Sequence, residues 1–165
     1  MAKRTRLHVQ AVDAPAPLAS ASAAYGKLAI TSQSTPIVID TPGIWYPVNL
    51  GWADSGVTSG ITVNETLGIL TLGNNGAYAT MCTIVFTSTI APCLVQWGVQ
   101  VNSLVVNDLL GIVPVITNIY PQTVAITGID EMSSGDTISI AVLTGTSPGT
   151  IITPISAHLA VYKIG

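Results

Sequence analysis

From Tyr25 onward, short runs rich in Val, Ile, Thr and aromatic residues alternate with clusters of Gly, Asn, Ser and Pro. The runs fall at 26–32, 36–40, 45–50, 60–64, 69–72, 77–88, 93–103, 119–128, 137–144 and 156–164. β-Branched and aromatic side chains fit a pleated, half-buried surface, so each run predicts a strand. Gly73-Asn74-Asn75-Gly76, Ser133-Ser134-Gly135-Asp136 and Ser147-Pro148-Gly149 supply turn chemistry between them. No apolar stripe of helical period persists for three turns, and the chain's 10 prolines and 15 glycines would interrupt one. About ten short strands at this spacing predict an all-β sandwich or barrel.

The strands are apolar on more than one face. In 77–86 one alternate set is Ala77, Ala79, Met81, Thr83 and Val85, and the other is Tyr78, Thr80, Cys82, Ile84 and Phe86. A strand with one wetted face would alternate apolar with polar. Residues 137–143 do alternate at first, with Ile138, Ile140 and Val142 against Thr137, Ser139, Ala141 and Leu143. A sheet covered on one side by the core and on the other by a neighbouring subunit accounts for the pattern, and oligomerisation is expected.

Composition sharpens that expectation. Hydrophobic residues make up 48% of the 165-residue chain and charged residues only 8%, against about 25% charged in an ordinary domain. Either Ser, Thr and Asn solvate the surface or partners cover much of it. The richest apolar stretch, Leu104 to Ile119, is interrupted by Asn107, Asp108, Gly111, Pro114, Thr117 and Asn118, so no spanning helix is expected. Residues 1–24 lack any period and contain Ala14-Pro15-Ala16-Pro17, which denies a helix. His8, Gln10 and Asp13 spoil a signal-peptide core. The segment therefore predicts an extended N-terminal arm with a reach of up to about 80 Å, followed by one folded domain over 25–165. Lys3, Arg4 and Arg6 make its tip basic, while residues 7–165 carry two cations against eight acids, a net of −6. A basic arm on an acidic body suits an acidic protein partner. Nucleic acid would call for a basic face on the folded domain itself.

Three segments resemble the tumour-necrosis-factor/C1q-like jelly-roll superfamily. Leu72-Gly73-Asn74-Asn75-Gly76-Ala77-Tyr78 resembles the lead-in to that family's central strand. Gly128-Ile129 through Met132-Ser133-Ser134-Gly135-Asp136-Thr137-Ile138-Ser139-Ile140 resembles its Gly-Asp turn before a core strand. Ser156-Ala157-His158-Leu159-Ala160-Val161-Tyr162 resembles its last strand, with Val95-Gln96-Trp97-Gly98-Val99-Gln100-Val101-Asn102 as the strand between. The resemblance implies a ten-stranded double-sheet jelly roll assembled as a homotrimer. Similar folds occur in bacteriophage virion proteins, and the basic arm suits that branch. The implied function is a trimeric capsid decoration (cement) protein, made in the host cytoplasm, whose arm grips the major capsid protein or another virion protein. The alternative is the receptor- or glycan-binding head of a phage fibre or spike.

Candidate chemistry is sparse. The two histidines are His8 in the arm and His158 in the last run, and no nucleophile elbow, paired-histidine motif or phosphate loop is present. An enzyme is not expected, nor a cofactor. Asp130, Glu131 and Asp136 are the densest acidic group, but without a recognised calcium-loop spacing they read first as an exposed turn, and no metal is expected. Cys82 and Cys93 read as two buried thiols. If 77–88 and 93–103 form a hairpin, the two could instead face each other and bond. Trp45, Tyr46 and Trp52, with Tyr25, are candidate interface or ligand aromatics, and Asn49, Asp54 and Ser55 could add hydrogen bonds to a sugar.

Overall fold

Strict side-chain alternation drives the architecture: most strands send one residue in two to a shared interior. The computed structural model describes residues 23–32, 35–49, 51–54, 56, 58–145 and 148–164. Its strands are β1 (Tyr25–Ile30), β2 (Ile37–Ile39), β3 (Tyr46–Pro47), β4 (Ala53–Asp54), β5 (Ile61–Asn64), β6 (Ile69–Leu72), β7 (Gly76–Ser88), β8 (Cys93–Val101), β9 (Leu104–Val115), β10 (Gln122–Met132), β11 (Thr137–Thr144) and β12 (Thr150–Lys163). No helix occurs among the described residues.

Two antiparallel sheets form. The first has the order β10-β7-β12-β1-β4, with β2 also on β12. The second has the order β5-β6-β11-β8-β9, with β3 also on β11. The chain changes sheet between β2 and β3, β3 and β4, β4 and β5, β6 and β7, β7 and β8, β9 and β10, β10 and β11, and β11 and β12, and the crossings of the long strands are the winding of a jelly roll. Between the sheets lie Leu28, Ile30, Tyr78, Ile84 and Phe86 from the first and Leu70, Val95, Trp97, Ile138 and Ile140 from the second, all buried. The Phe86 and Trp97 rings meet across the interior, 5.1 Å apart and tilted by 57°. Burial is not matched by hydrogen bonding everywhere: Thr80 Oγ1, Trp97 Nε1 and Thr144 Oγ1 have no partner among the described residues.

Several expectations change. Runs 77–88 and 93–103 do not form a hairpin, because β7 pairs with β10 and β12 while β8 pairs with β9 and β11. Cys82 and Cys93 are free and lie in opposite sheets. Burial pushes the Cys82 thiol up to about 12, and the Cys93 thiol donates to the Ile90 carbonyl at 3.1 Å. Leu104 to Val115, set aside as an interrupted apolar stretch, is the edge strand of the second sheet. An edge tolerates Pro114 because its missing N–H costs no ladder bond there. β12 starts at Thr150, earlier than 156, with a register shift at Pro154 and Ser156 that absorbs the proline. β10 is displaced toward 122–132 and takes in Asp130 and Glu131, which were expected in a turn.

Candidate functional site

With the interior closed, the outward faces and the two ends of the sandwich carry whatever contacts a partner. On the first sheet the outward positions line up in rows across β10, β7, β12 and β1. One row is Ile129, Ala79, Tyr162 and Tyr25, the next Thr127, Met81, Ala160 and Lys27. A third holds Ala125, Thr83 and His158. Lys27 is the only formally charged residue in these rows. The Tyr162 hydroxyl donates to Met81 Sδ at 2.6 Å, and these two with Ile129 and Thr127 border a shallow hollow of about 320 Å³.

The second sheet presents a different surface. Val95, Trp97 and Val99 face the core, so Gln96, Gly98 and Gln100 face outward. Trp45 lies over Gly98: a Cβ there would sit 3.2 Å from Trp45 Cη2 and 2.7 Å from Val105 Cγ1. Glycine at 98 lets the indole approach the sheet. Beside it the β8–β9 ladder is distorted. β8 advances two positions from Gly98 to Gln100 while β9 advances five from Val105 to Leu110. Such a bulge re-aims side chains, turning Leu109 into the core and leaving Asn107 exposed. The result is a concavity of about 760 Å³ bordered by Trp45, Gln96, Gln100, Leu104, Asn107 and Leu110. Gln100 is anchored, its Nε2 donating to the Ser103 carbonyl and its Oε1 accepting from Ser139 Oγ, both at 3.3 Å.

The two ends also differ. At one, Asn102 Nδ2 donates to Asp136 Oδ1 and the Ser133 N–H to Asp136 Oδ2, both at 2.7 Å. These hydrogen bonds hold the Asp136 carboxyl below the usual carboxylate range. Ser134 N–H donates to Asn75 Oδ1 at 2.7 Å, so three turns are tied together. Ala24, at the start of the described chain, is at this end, its carbonyl accepting from Lys163 N–H. At the other end Ile116, Ile119 and Tyr120 are exposed by 80%, 74% and 66%.

The residues singled out in the sequence separate accordingly. Trp45 borders the cleft. Tyr46 is half-buried, and its hydroxyl accepts from Thr41 N–H at 2.9 Å. Trp52 is a core residue, buried with Nε1 donating to the Val48 carbonyl at 2.6 Å, and offers no platform to a ligand. Asp54 is on β4 in the first sheet, where its carboxylate accepts from Gly56 N–H, away from Trp45. Ser55 and the arm with Lys3, Arg4 and Arg6 lie outside the described residues. Among the described residues no three His, Cys, Asp or Glu side chains converge as metal ligands. Gln96, Gln100 and Asn107 went unread in the sequence. The first two were legible as the polar phase of Val95-Gln96-Trp97-Gly98-Val99-Gln100-Val101, while Asn107 was hidden because its strand was not recognised.

No protein-family model matches the chain, and no curated protein matches it. Solved structures do. An Eiger TNF from S. frugiperda superposes with a TM-score of 0.53 at 12% identity, over 86% of this chain and 94% of that one. Murine APRIL superposes with a TM-score of 0.53 at 15% identity, over 85% of this chain and 99% of that one. The fold is a TNF-like jelly roll.

Proposed function

We propose that the chain is a non-enzymatic structural protein of a virus particle: a homotrimeric decoration protein that braces a bacteriophage capsid through its N-terminal arm. The observation that carries the reading is the outward face of the first sheet. Its central rows of Ala, Thr, Met, Ile and Tyr contain one formal charge, Lys27, across β10, β7, β12 and β1, with Glu131 in the same outward phase of β10 at the rim, opposite Ala77. Such a face is suited to burial against another copy, since small and apolar side chains lose little on leaving water and gain packing. The threefold count is carried over from the family resemblance. Three arms on one body act at high effective concentration once the first has bound, so modest contacts from Lys3, Arg4 and Arg6 suffice. Ala24, near the start of the described chain, is at the polar end of the sandwich, where its carbonyl accepts from Lys163 N–H.

Quantitative mass spectrometry of purified virions tests the assignment. Copies comparable with the major capsid protein are expected for a decoration protein. A few per particle would move the chain to a fibre or spike head, and its absence would remove the virion reading altogether. A chain lacking residues 1–24 is expected to remain a folded trimer that no longer binds shells; continued decoration would overturn the role of the arm.

A further inference from the structure

The cleft on the second sheet has a chemistry that bracing a shell does not require. The amide groups of Gln96 and Asn107 have no hydrogen-bond partner among the described residues, nor has Trp45 Nε1, although all three residues border one concavity. No charged side chain lines it. The only described cations, Lys27 and Lys163, belong to strands of the first sheet, so an anionic ligand would find no counter-charge among the described residues of the cleft. Each amide offers two donors and one acceptor. That combination suits hydroxyl groups, which donate and accept at once, and two vicinal hydroxyls can take both sides of one amide. An indole beside such amides can receive the C–H face of a sugar ring. Apolar Leu104 and Leu110 complete a lining of mostly apolar walls with a few convergent polar groups, the usual make-up of a small-ligand site.

We infer that this cleft binds a neutral saccharide, with Trp45 as the stacking platform and Gln96 and Asn107 as the hydrogen-bonding pair. Gln100, held by Ser103 and Ser139, is part of the rigid floor. Gly98 keeps the indole close to the sheet, and the β9 bulge sets the depth of the cleft. The inference uses the second sheet alone and stands whether or not the first sheet forms a trimer or the protein decorates a capsid.

The full-length chain applied to an array of neutral, sialylated and sulfated oligosaccharides, followed by calorimetry with the neutral oligosaccharide best retained, tests it. Retention of neutral glycans is expected. Trp45→Ala should weaken binding at least about tenfold and Gln96→Ala several-fold, as for truncation of central contacts. Thr62→Ala, exposed on β5 and outside the lining of the cleft, should leave it unchanged. Gln96 and Asn107 are not core residues, so Gln96→Ala and Asn107→Ala decide the matter should Trp45→Ala lower the melting temperature. Retention of charged glycans only, no retention at all, or binding that survives both Gln96→Ala and Asn107→Ala would each overturn the site. The last result would mean that the glycan is held elsewhere on the chain.

Discussion

The two sheets contribute to one interior in the same way and diverge on their outer faces. On the first sheet, rows such as Thr127, Met81, Ala160 and Lys27 run straight across four strands, with the β7–β12 register unbroken from Ser156 to Lys163. On the second, the register slips between β8 and β9, β3 adds only a two-residue pairing to β11, and the Trp45 side chain stands over Gly98. A regular, nearly uncharged face is suited to a flat partner such as another copy. A bulged face with unpartnered amides is suited to a small ligand in a hollow. The inner positions of both sheets answer to the same demand, exclusion of water. The outer positions do not, and the difference between them carries the functional information.

The strongest way to break this contrast is to place a charge on each face in turn. Ala160→Arg puts a cation at the centre of the first-sheet rows, next to Lys27 across the ladder. In a trimer each copy would bury it unpaired, at several kcal/mol per subunit, so sedimentation at micromolar concentration should show monomers with an unchanged β-sheet circular dichroism spectrum. Ile112→Arg, on the exposed edge strand of the second sheet, should leave the assembly intact. Equal behaviour of the two variants would erase the distinction between the faces.

A smaller effect is expected from Gly98→Val, which drives a branched side chain toward Val105, Leu110 and Trp45. Overpacking of this kind costs about 1–3 kcal/mol. Thermal melting should show the loss, and tryptophan emission should shift to the red as the Trp45 indole is lifted into water. An unchanged spectrum would mean the indole does not depend on that glycine.

Thr80→Val tests the shared interior. The Thr80 hydroxyl is buried on the inward side of β7 without a hydrogen bond, and an unpaired buried polar group costs about 1–3 kcal/mol. The near-isosteric apolar side chain should raise stability by about 1 kcal/mol in denaturant titrations, leaving assembly and ligand binding as they are. A destabilised variant would mean that the hydroxyl has a partner in solution.

The smallest effect concerns the turn that carries the chain from the first sheet to the second. Asp136 has a lowered pKa because Asn102 and Ser133 donate to its carboxylate. A depressed folded-state value means the group favours folding above its unfolded value. That contribution is lost as pH falls from about 4 through the lower folded value. The melting temperature of Asp136→Asn should therefore fall less steeply over this acidic range than that of the unaltered chain. Parallel slopes would show that the turn does not couple to stability.

How much of this was legible in the sequence depended on whether a residue's role was local. The segment 77–88 was readable as a strand with two apolar sides because alternation is a property of neighbours in the chain, and β7 carries both sets as expected. Leu104 to Val115 was not readable as a strand. Asn107, Asp108, Gly111 and Pro114 are all strand-breaking signals taken one by one. They are tolerated because the strand is an edge, bulges away from β8, and lets β10 approach at Gly111, where a Cβ would sit 2.3 Å from Val124 Cγ2. The aromatic cluster was half legible. Trp45, Tyr46 and Trp52 are close in sequence, yet one is turned into the core and another borders the cleft, because a few residues of irregular chain can reverse the direction of a side chain.

The sequence by itself determined the all-β class of sandwich or barrel and the shortage of charge, since these rest on period, turn chemistry and composition; the jelly-roll winding was expected only from the resemblance of three segments to a known family. Tertiary structure alone decided which strands share a sheet, that Cys82 and Cys93 belong to opposite sheets, and that Gln96, Asn107 and Trp45 border one cleft. The physical reason is the range of the interactions. Alternation and turns act over a few residues, whereas pairing, crossing between sheets and the depth of a cleft depend on contacts between segments dozens of residues apart, for which the linear order holds no direct signal.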